Sequence, residues 1–184
     1  RLIELIRKAE FGLLSTSVSE PRILTIPTLY GGQHGPDIDY VASHAGLTVE
    51  DVTELHSSVT YRVYMIGFSP GFPYLGGLPE KLSTPRLQTP RIRIPAGAVG
   101  IAESQTGVYP SQSPGGWRVV GQTPIPLFQP DRDPPSLVVA GDFIKFSALE
   151  SKAAYEDLSS DVTEGRYQPE IMYMGDSPSA CRRH

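Results

Sequence analysis

Tyr61-Arg62-Val63-Tyr64-Met65-Ile66-Gly67-Phe68 is the stretch on which the fold turns. Aromatic and β-branched residues crowd it, and no breaker appears before Gly67, so it reads as the strongest strand of the sequence. Downstream, strand-like pieces recur at Val99–Ala102, Trp117–Val120, Pro124–Phe128, Ser136–Val139 and Phe143–Ala148. No helical stripe interrupts them as far as Leu149. Short strands at this spacing, with turn signals between, predict a closed or nearly closed β-barrel. Composition agrees: Gly and Pro number 18 each among 184 residues, enough breakers for many tight turns.

Working back toward the start, Ile23–Tyr30 alternates and reads as a further strand, with Pro27 marking an edge or a bulge. Pro36–His44 carries Ile38, Val41 and Ala42 at helical spacing, and Gly46 stops it. Thr48, with Asp51 three residues on, caps a second short helix over Val49–Ser57. Arg1–Glu10 has the spacing of an amphipathic helix too short to stand alone, and Ser15–Pro21 reads as a linker. Past the strands, Ser151–Gly165 holds one short helix around Ala153–Leu158, and Met174–His184 reads as disordered. The expected organisation is an N-terminal helix and linker (1–21), a barrel domain (22–150) and a C-terminal extension (151–184). The fold class is mainly β.

A formal charge of −4, from 16 basic and 20 acidic residues, offers no basic face for nucleic acid. No run of about 18 apolar residues exists to span a membrane. The single cysteine, Cys181, permits no internal disulfide, which fits a reducing, cytoplasmic compartment. The chain starts at Arg1 without methionine and reads as a fragment or a processed product.

Two segments carry chemical information. Gly67–Leu78 sets three aromatics among two prolines and four glycines, forcing sharp turns while rings project from the backbone. It reads either as a loop capping the barrel or as an aromatic pocket wall of Phe68, Pro70, Phe72 and Tyr74. Arg86, Arg91 and Arg93 follow, two of them directly after prolines that fix their approach. Their guanidinium forks suit a carboxylate, carbamate or phosphate; they suit equally well acidic residues of this chain or of a partner. Gln105 and Tyr109 have polar ends able to orient an amide or to serve as barrel hydrogen bonds. Trp117, after Gly115-Gly116, reads best as a core residue.

A series of motifs in order then carries a resemblance. They are Tyr30-Gly31-Gly32, Gly35-Pro36-Asp37, His56-Ser57, Tyr61–Tyr64, the Gly67–Leu78 loop, Pro85-Arg86, Pro90-Arg91, Pro95-Ala96-Gly97, Gln105-Thr106-Gly107, Tyr109-Pro110 and Ser113–Trp117. The pattern resembles the family of allophanate hydrolase subunit 1, the B subunit of 5-oxoprolinase and the kinase inhibitor KipI. The same unit forms the C–D part of the urea carboxylase carboxyltransferase domain. The resemblance covers about Leu24–Leu149. It implies a cyclophilin-like β-barrel, normally preceded by a small α/β domain of which Arg1–Glu10 would be a remnant. It also implies a partner, called subunit 2 or the C subunit, with the shared site where the two barrels meet. The implied activity is partner-dependent: ATP-dependent opening of 5-oxoproline, or carboxyl transfer from biotin to urea. ATP or biotin would come through the partner subunits, and this chain alone would bind no cofactor. Glu103-Ser104 and Gln122 depart from the pattern, the latter standing where an arginine is frequent.

On this reading Arg86, Arg91 and Arg93 clamp an anionic group, Tyr74, Gln105 and Tyr109 orient its amide, and His56 and Tyr61 support the pocket. Fixed donors would stabilise the transition state, and the partner would supply the nucleophile or phosphate activation. The alternatives are a carboxyltransferase part of a urea carboxylase and a KipI-like binding module without turnover, in which the Phe68–Leu78 loop is an interaction surface. No phosphate-binding Gly-x-x-x-x-Gly-Lys loop, nucleophile elbow or metal-ligand spacing is present. Tyr173, between Met172 and Met174, has no amine to carry biotin. The barrel by itself is no argument for prolyl isomerase activity.

Overall fold

The computed structural model describes residues 21–173. The helix expected at Arg1–Glu10, nearly all of the Ser15–Pro21 linker and the Met174–His184 tail lie outside them. Ten strands and three helices follow in chain order. They are β1 (Arg22–Tyr30), α1 (Ile38–Ala45), α2 (Val49–Ser58), β2 (Thr60–Ile66), β3 (Pro73–Gly76), β4 (Arg91–Ile94), β5 (Ala98–Ala102), β6 (Gln105–Val108), β7 (Ser113–Gly115), β8 (Arg118–Gln122), β9 (Phe143–Ala148), α3 (Lys152–Thr163) and β10 (Ile171–Tyr173). None of these helices is long and apolar enough to cross a membrane.

Seven strands close a barrel in the order β1-β8-β5-β6-β3-β2-β9, and β9 returns to β1 in parallel register from Ile23↔Phe143 to Thr28↔Ala148. Closure leaves the ring without an open edge. Leu24, Ile26 and Thr28 of β1 point inward, as the strand's alternation requires. They meet Val63, Leu75, Val99, Ile101, Val120, Ile144 and Phe146 in one continuous core. Pro27 sits inside this closed ring, not at an edge. On the side of β1 away from β9, Thr25 donates to Glu170 and pairing with β8 starts only at Leu29, so Pro27 falls in the gap where no ladder bond is lost.

The two helices between β1 and β2 lie where the periodicity places them. α2 carries a capping box: Thr48 Oγ1 accepts from Asp51 N–H and Asp51 Oδ2 accepts from Thr48 N–H, both at 3.0 Å. Such a cap contributes about 1 kcal/mol. Ile38, Val41, Val52 and His56 deliver both helices into the main core.

Two expected strands are absent. Pro124–Phe128 and Ser136–Val139 do bury Ile125, Leu127, Leu137 and Val138, so the apolar pattern is satisfied. Pro124 and Pro126 have no N–H for a ladder, and a single bridge, Phe128↔Ser136, joins the two segments. Conversely β3, β4, β6, β7 and β10, each three or four residues long, appear where no strand is expected. The helix expected around Ala153–Leu158 runs longer, over Lys152–Thr163, with none of its residues fully buried.

Candidate functional site

The site grows from a pair of glycines. Gly100 of β5 and Gly107 of β6 face each other across the ladder. A Cβ on Gly100 would come within 3.1 Å of Trp117, and one on Gly107 within 3.1 Å of both Phe72 and Trp117. The outer face of this hairpin is therefore a bare bed on which two rings lie at right angles, 5.5 Å between centroids. Tyr109 stands edge-on to Phe72 at 5.3 Å, Tyr74 packs at 5.1 Å, and Phe68 meets Phe72 edge-on at 5.6 Å. Phe72, Tyr109 and Trp117, with Ile94, Ala98, Ala102 and Val119, form a second core outside the barrel, and Tyr74 packs against it.

The two-stranded β4–β7 sheet walls this cluster. Gly115 passes so close to Tyr109 that an added Cβ would sit 2.4 Å from its hydroxyl. Between this sheet and the rings lies a cavity of about 300 Å³. Phe68, Phe72, Tyr74, Tyr109 and Trp117 supply its rings and Arg86 its cation, and among the described residues no carboxylate, thiol or imidazole lines it. The Arg86 guanidinium lies 5.9 Å from the Trp117 ring centroid, within cation–π reach. Burial raises the pKa of Tyr109; a backbone hydrogen bond from Trp117 and the nearby charges of Arg86 and Arg91 act in the opposite direction. The phenol stays neutral. The cavity can hold a flat or amide-bearing ligand against rings and steer an anionic end to Arg86.

Arg91 is engaged elsewhere. Its Nη1 and Nη2 donate to the two oxygens of Asp37 at 2.6 and 2.8 Å, and Asp37 also accepts from the Val119 N–H at 2.7 Å. The hydrogen bonds to Asp37 raise the Arg91 pKa. Arg91 therefore ties β4 to the start of α1 and to β8 while its charge still reaches Tyr109. Gly35 explains how Asp37 gets there, since a Cβ on it would lie 2.0 Å from the Val120 carbonyl oxygen. Arg93 is exposed and has no ion-pair partner among the described residues.

The remaining expected residues are spread out. Gln105 borders a different groove, with Tyr64, Met65 and Gly77. Pro70 is exposed and off the cavity lining. His56 and Tyr61 belong to the main core. His56 Nε2 lies 2.9 Å from Thr106 Oγ1, whose own proton goes to the Gly100 carbonyl, so Nε2 carries the hydrogen. Nδ1 then accepts from the Tyr30 hydroxyl at 2.7 Å, and the Tyr61 hydroxyl donates to the His56 carbonyl at 2.8 Å. Desolvation holds the imidazole neutral, with its pKa lowered to about 3. Gln122, where a cation is frequent in the resembling family, also lies outside the cavity lining; it bridges His34 Nδ1 and the Ala96 carbonyl, each at 2.8 Å.

Sequence reasoning missed Asp37 as the anchor of Arg91 and Trp117 as a wall of the cavity. The Gly35-Pro36-Asp37 triplet was the available signal for the first. Trp117 is buried as a core residue should be, yet one edge of it faces the cavity.

Comparison with known proteins bears on this arrangement. The family described as carboxyltransferase domain, subdomain C and D, matches residues 1–138. The B subunit of 5-oxoprolinase from Escherichia coli O157:H7 is 55% identical over 127 residues, covering 69% of this chain and 58% of that protein. A conserved uncharacterized protein from Pyrococcus horikoshii, solved by crystallography, is 46% identical with a TM-score of 0.70, over 84% of this chain and 69% of that one. The Kluyveromyces lactis urea carboxylase aligns at a TM-score of 0.72 and 19% identity over 83% of this chain and 16% of that one, a likeness of fold alone. The chain thus spans little more than half the length of the Escherichia coli relative. With the family match over three quarters of its length and a closed barrel of the same kind, the chain belongs to the carboxyltransferase subdomain C and D family.

Proposed function

We propose that the chain is the barrel part of a protein of the 5-oxoprolinase B-subunit type, a partner-dependent component of a cytoplasmic, ATP-dependent amide-processing enzyme. Its substrate is a small amide or carboxylate, 5-oxoproline first of all, held in the aromatic cavity where the barrel meets a partner of the subunit 2 (C-subunit) type. The observation that carries this reading is a cavity with one guanidinium over a ring wall and, among the described residues, no carboxylate, thiol or imidazole in its lining. Such a site binds and orients, so ATP and the activating chemistry come from the partners. The 55% identity to a protein named as a 5-oxoprolinase subunit supports the choice of substrate.

Reconstitution with a subunit 2 type protein, measuring 5-oxoproline-dependent ATP hydrolysis, tests it. Arg86→Ala is expected to lower turnover by at least tenfold, since losing one fixed charged donor costs about 3 kcal/mol in the transition state. Wild-type rates for Arg86→Ala at saturating partner would remove Arg86 from the role. Turnover of urea with a biotin carrier, in place of 5-oxoproline, would move the chain to the carboxyltransferase reading. Tight kinase binding without turnover would make it an inhibitor.

A further inference from the structure

A second cavity, of about 360 Å³, opens between the loop Ile125–Leu137 and the chain that follows α3, and it shares no lining residue with the aromatic cavity. Its volume falls within the range of small-molecule sites, and its walls have the composition of one. Pro126, Pro134 and Pro169 line it with compact apolar rings and Tyr167 with a planar one, and Leu137 and Val162 complete the lining.

Two guanidinium groups reach this apolar space, and they differ. Arg22 is satisfied: its Nε and Nη2 donate to the buried Asp142 carboxylate at 3.1 and 2.6 Å. Arg132 is not. Its Nε and Nη2 donate to the backbone carbonyls of Pro134 and Pro135 at 3.0 and 3.3 Å, which fixes the plane of the fork without neutralising it. Among the described residues no carboxylate pairs with it, and its sequence neighbours Asp131 and Asp133 are exposed. Partial burial lowers its pKa, the sign of a cation desolvated without compensation. Nη1 has no hydrogen-bond partner among the described residues. A fork held in place by neutral carbonyls, beside flat apolar walls, is built to accept a carboxylate attached to a compact ring.

We propose that this cavity binds a small monocarboxylate with a flat apolar body, the carboxylate resting on the open side of Arg132 and the ring against the proline and tyrosine faces. The site is independent of the aromatic cavity and of the activity proposed above.

Benzoate is a suitable probe and benzamide its neutral counterpart, both titrated calorimetrically into the full chain. Saturable benzoate binding is expected, with benzamide at least tenfold weaker. Arg132→Gln should weaken benzoate at least tenfold, and Val162→Trp, which fills the cavity from the α3 side, should block it. The aromatic cavity can also take a flat carboxylate, so both variants are read in the Arg86→Ala background, which should keep the Arg132-dependent site. Absence of saturable benzoate binding, equal binding of benzamide, or retention of benzoate in Val162→Trp, each in that background, would overturn the assignment. The comparison of the two probes in Arg86→Ala changes nothing at this cavity, so a substitution here that fails to fold does not spare the proposal.

Discussion

Phe68 holds a backbone φ of +64°, a region that residues with a Cβ enter only under constraint, while its ring is 68% exposed. An exposed ring contributes little burial to offset that strain. Phe68→Gly is therefore expected to stabilise the chain by roughly 1 kcal/mol, read from urea unfolding, while opening the mouth of the aromatic cavity. A clear loss of stability would mean that the edge contact with Phe72 outweighs the strain. His56 gives a second prediction. Its folded pKa is about 3 against an ordinary 6.5. Above that ordinary value both folded and unfolded chains carry a neutral ring, and stability does not depend on it. As pH falls through it, only the unfolded chain takes up the proton, so stability drops by about 1.4 kcal/mol per pH unit down toward the folded value. Unfolding free energies from about pH 6.5 to about pH 4.5, above most carboxylate titration, should show this slope in the wild type and lose it in His56→Gln. Equal slopes would mean that the imidazole is not desolvated. The sequence made His56 a residue of interest without revealing this setting, because a ring's partners across the barrel depend on register and not on spacing.

Among the elements, the β4–β7 pair depends most on one contact. It forms its own two-stranded sheet, and its register shifts between Arg91 and Ile94. Arg91 to Asp37 and the buried Ile94 hold it in place. Asp37 is nearly buried while Arg91 is about one third exposed, so the pair is worth less than a fully buried one. Asp37→Ala is expected to cost about 2 kcal/mol and to shift Trp117 emission to the red as the β4–β7 sheet lifts. A cost near zero with unchanged emission would leave Ile94 packing as the sole anchor. Short elements such as these two strands were illegible in the sequence for a physical reason. Arg91–Ile94 and Ser113–Gly115 offer too few positions for alternation to emerge, and the prolines flanking the first and the Pro and Gly within the second read as turns. Pro124–Phe128 erred the other way, since apolar alternation reports burial and the prolines decide hydrogen bonding. Longer elements with a cap or a clean period, α1, α2, β1, β2 and β9, were legible to within two residues. At the cavity, the composition of the Gly67–Leu78 loop marked Phe68, Phe72 and Tyr74, whereas the approach of Tyr109 and Arg86 to them and the diversion of Arg91 to Asp37 depend on the barrel's register.

For the molecule as a whole, closure by a parallel β1–β9 pairing ties the first and last barrel strands together across most of the chain. Every residue of β5 is buried, with core on both faces, whereas α3 has none fully buried. Amide exchange should then be slowest at Val99 and Ile101 and fastest along α3, because local opening follows the depth of packing. Protection of α3 equal to that of β5 would contradict this gradient. Arg22 and Tyr173 sit opposite each other where β10 runs antiparallel along β1. Both flanks of the described chain thus leave from one corner, beside the cavity that Arg132 borders. Tension applied between those two ends would act in an unzipping geometry, peeling β10 away bridge by bridge and emptying that corner's pocket while the hoop of seven strands bore none of the load.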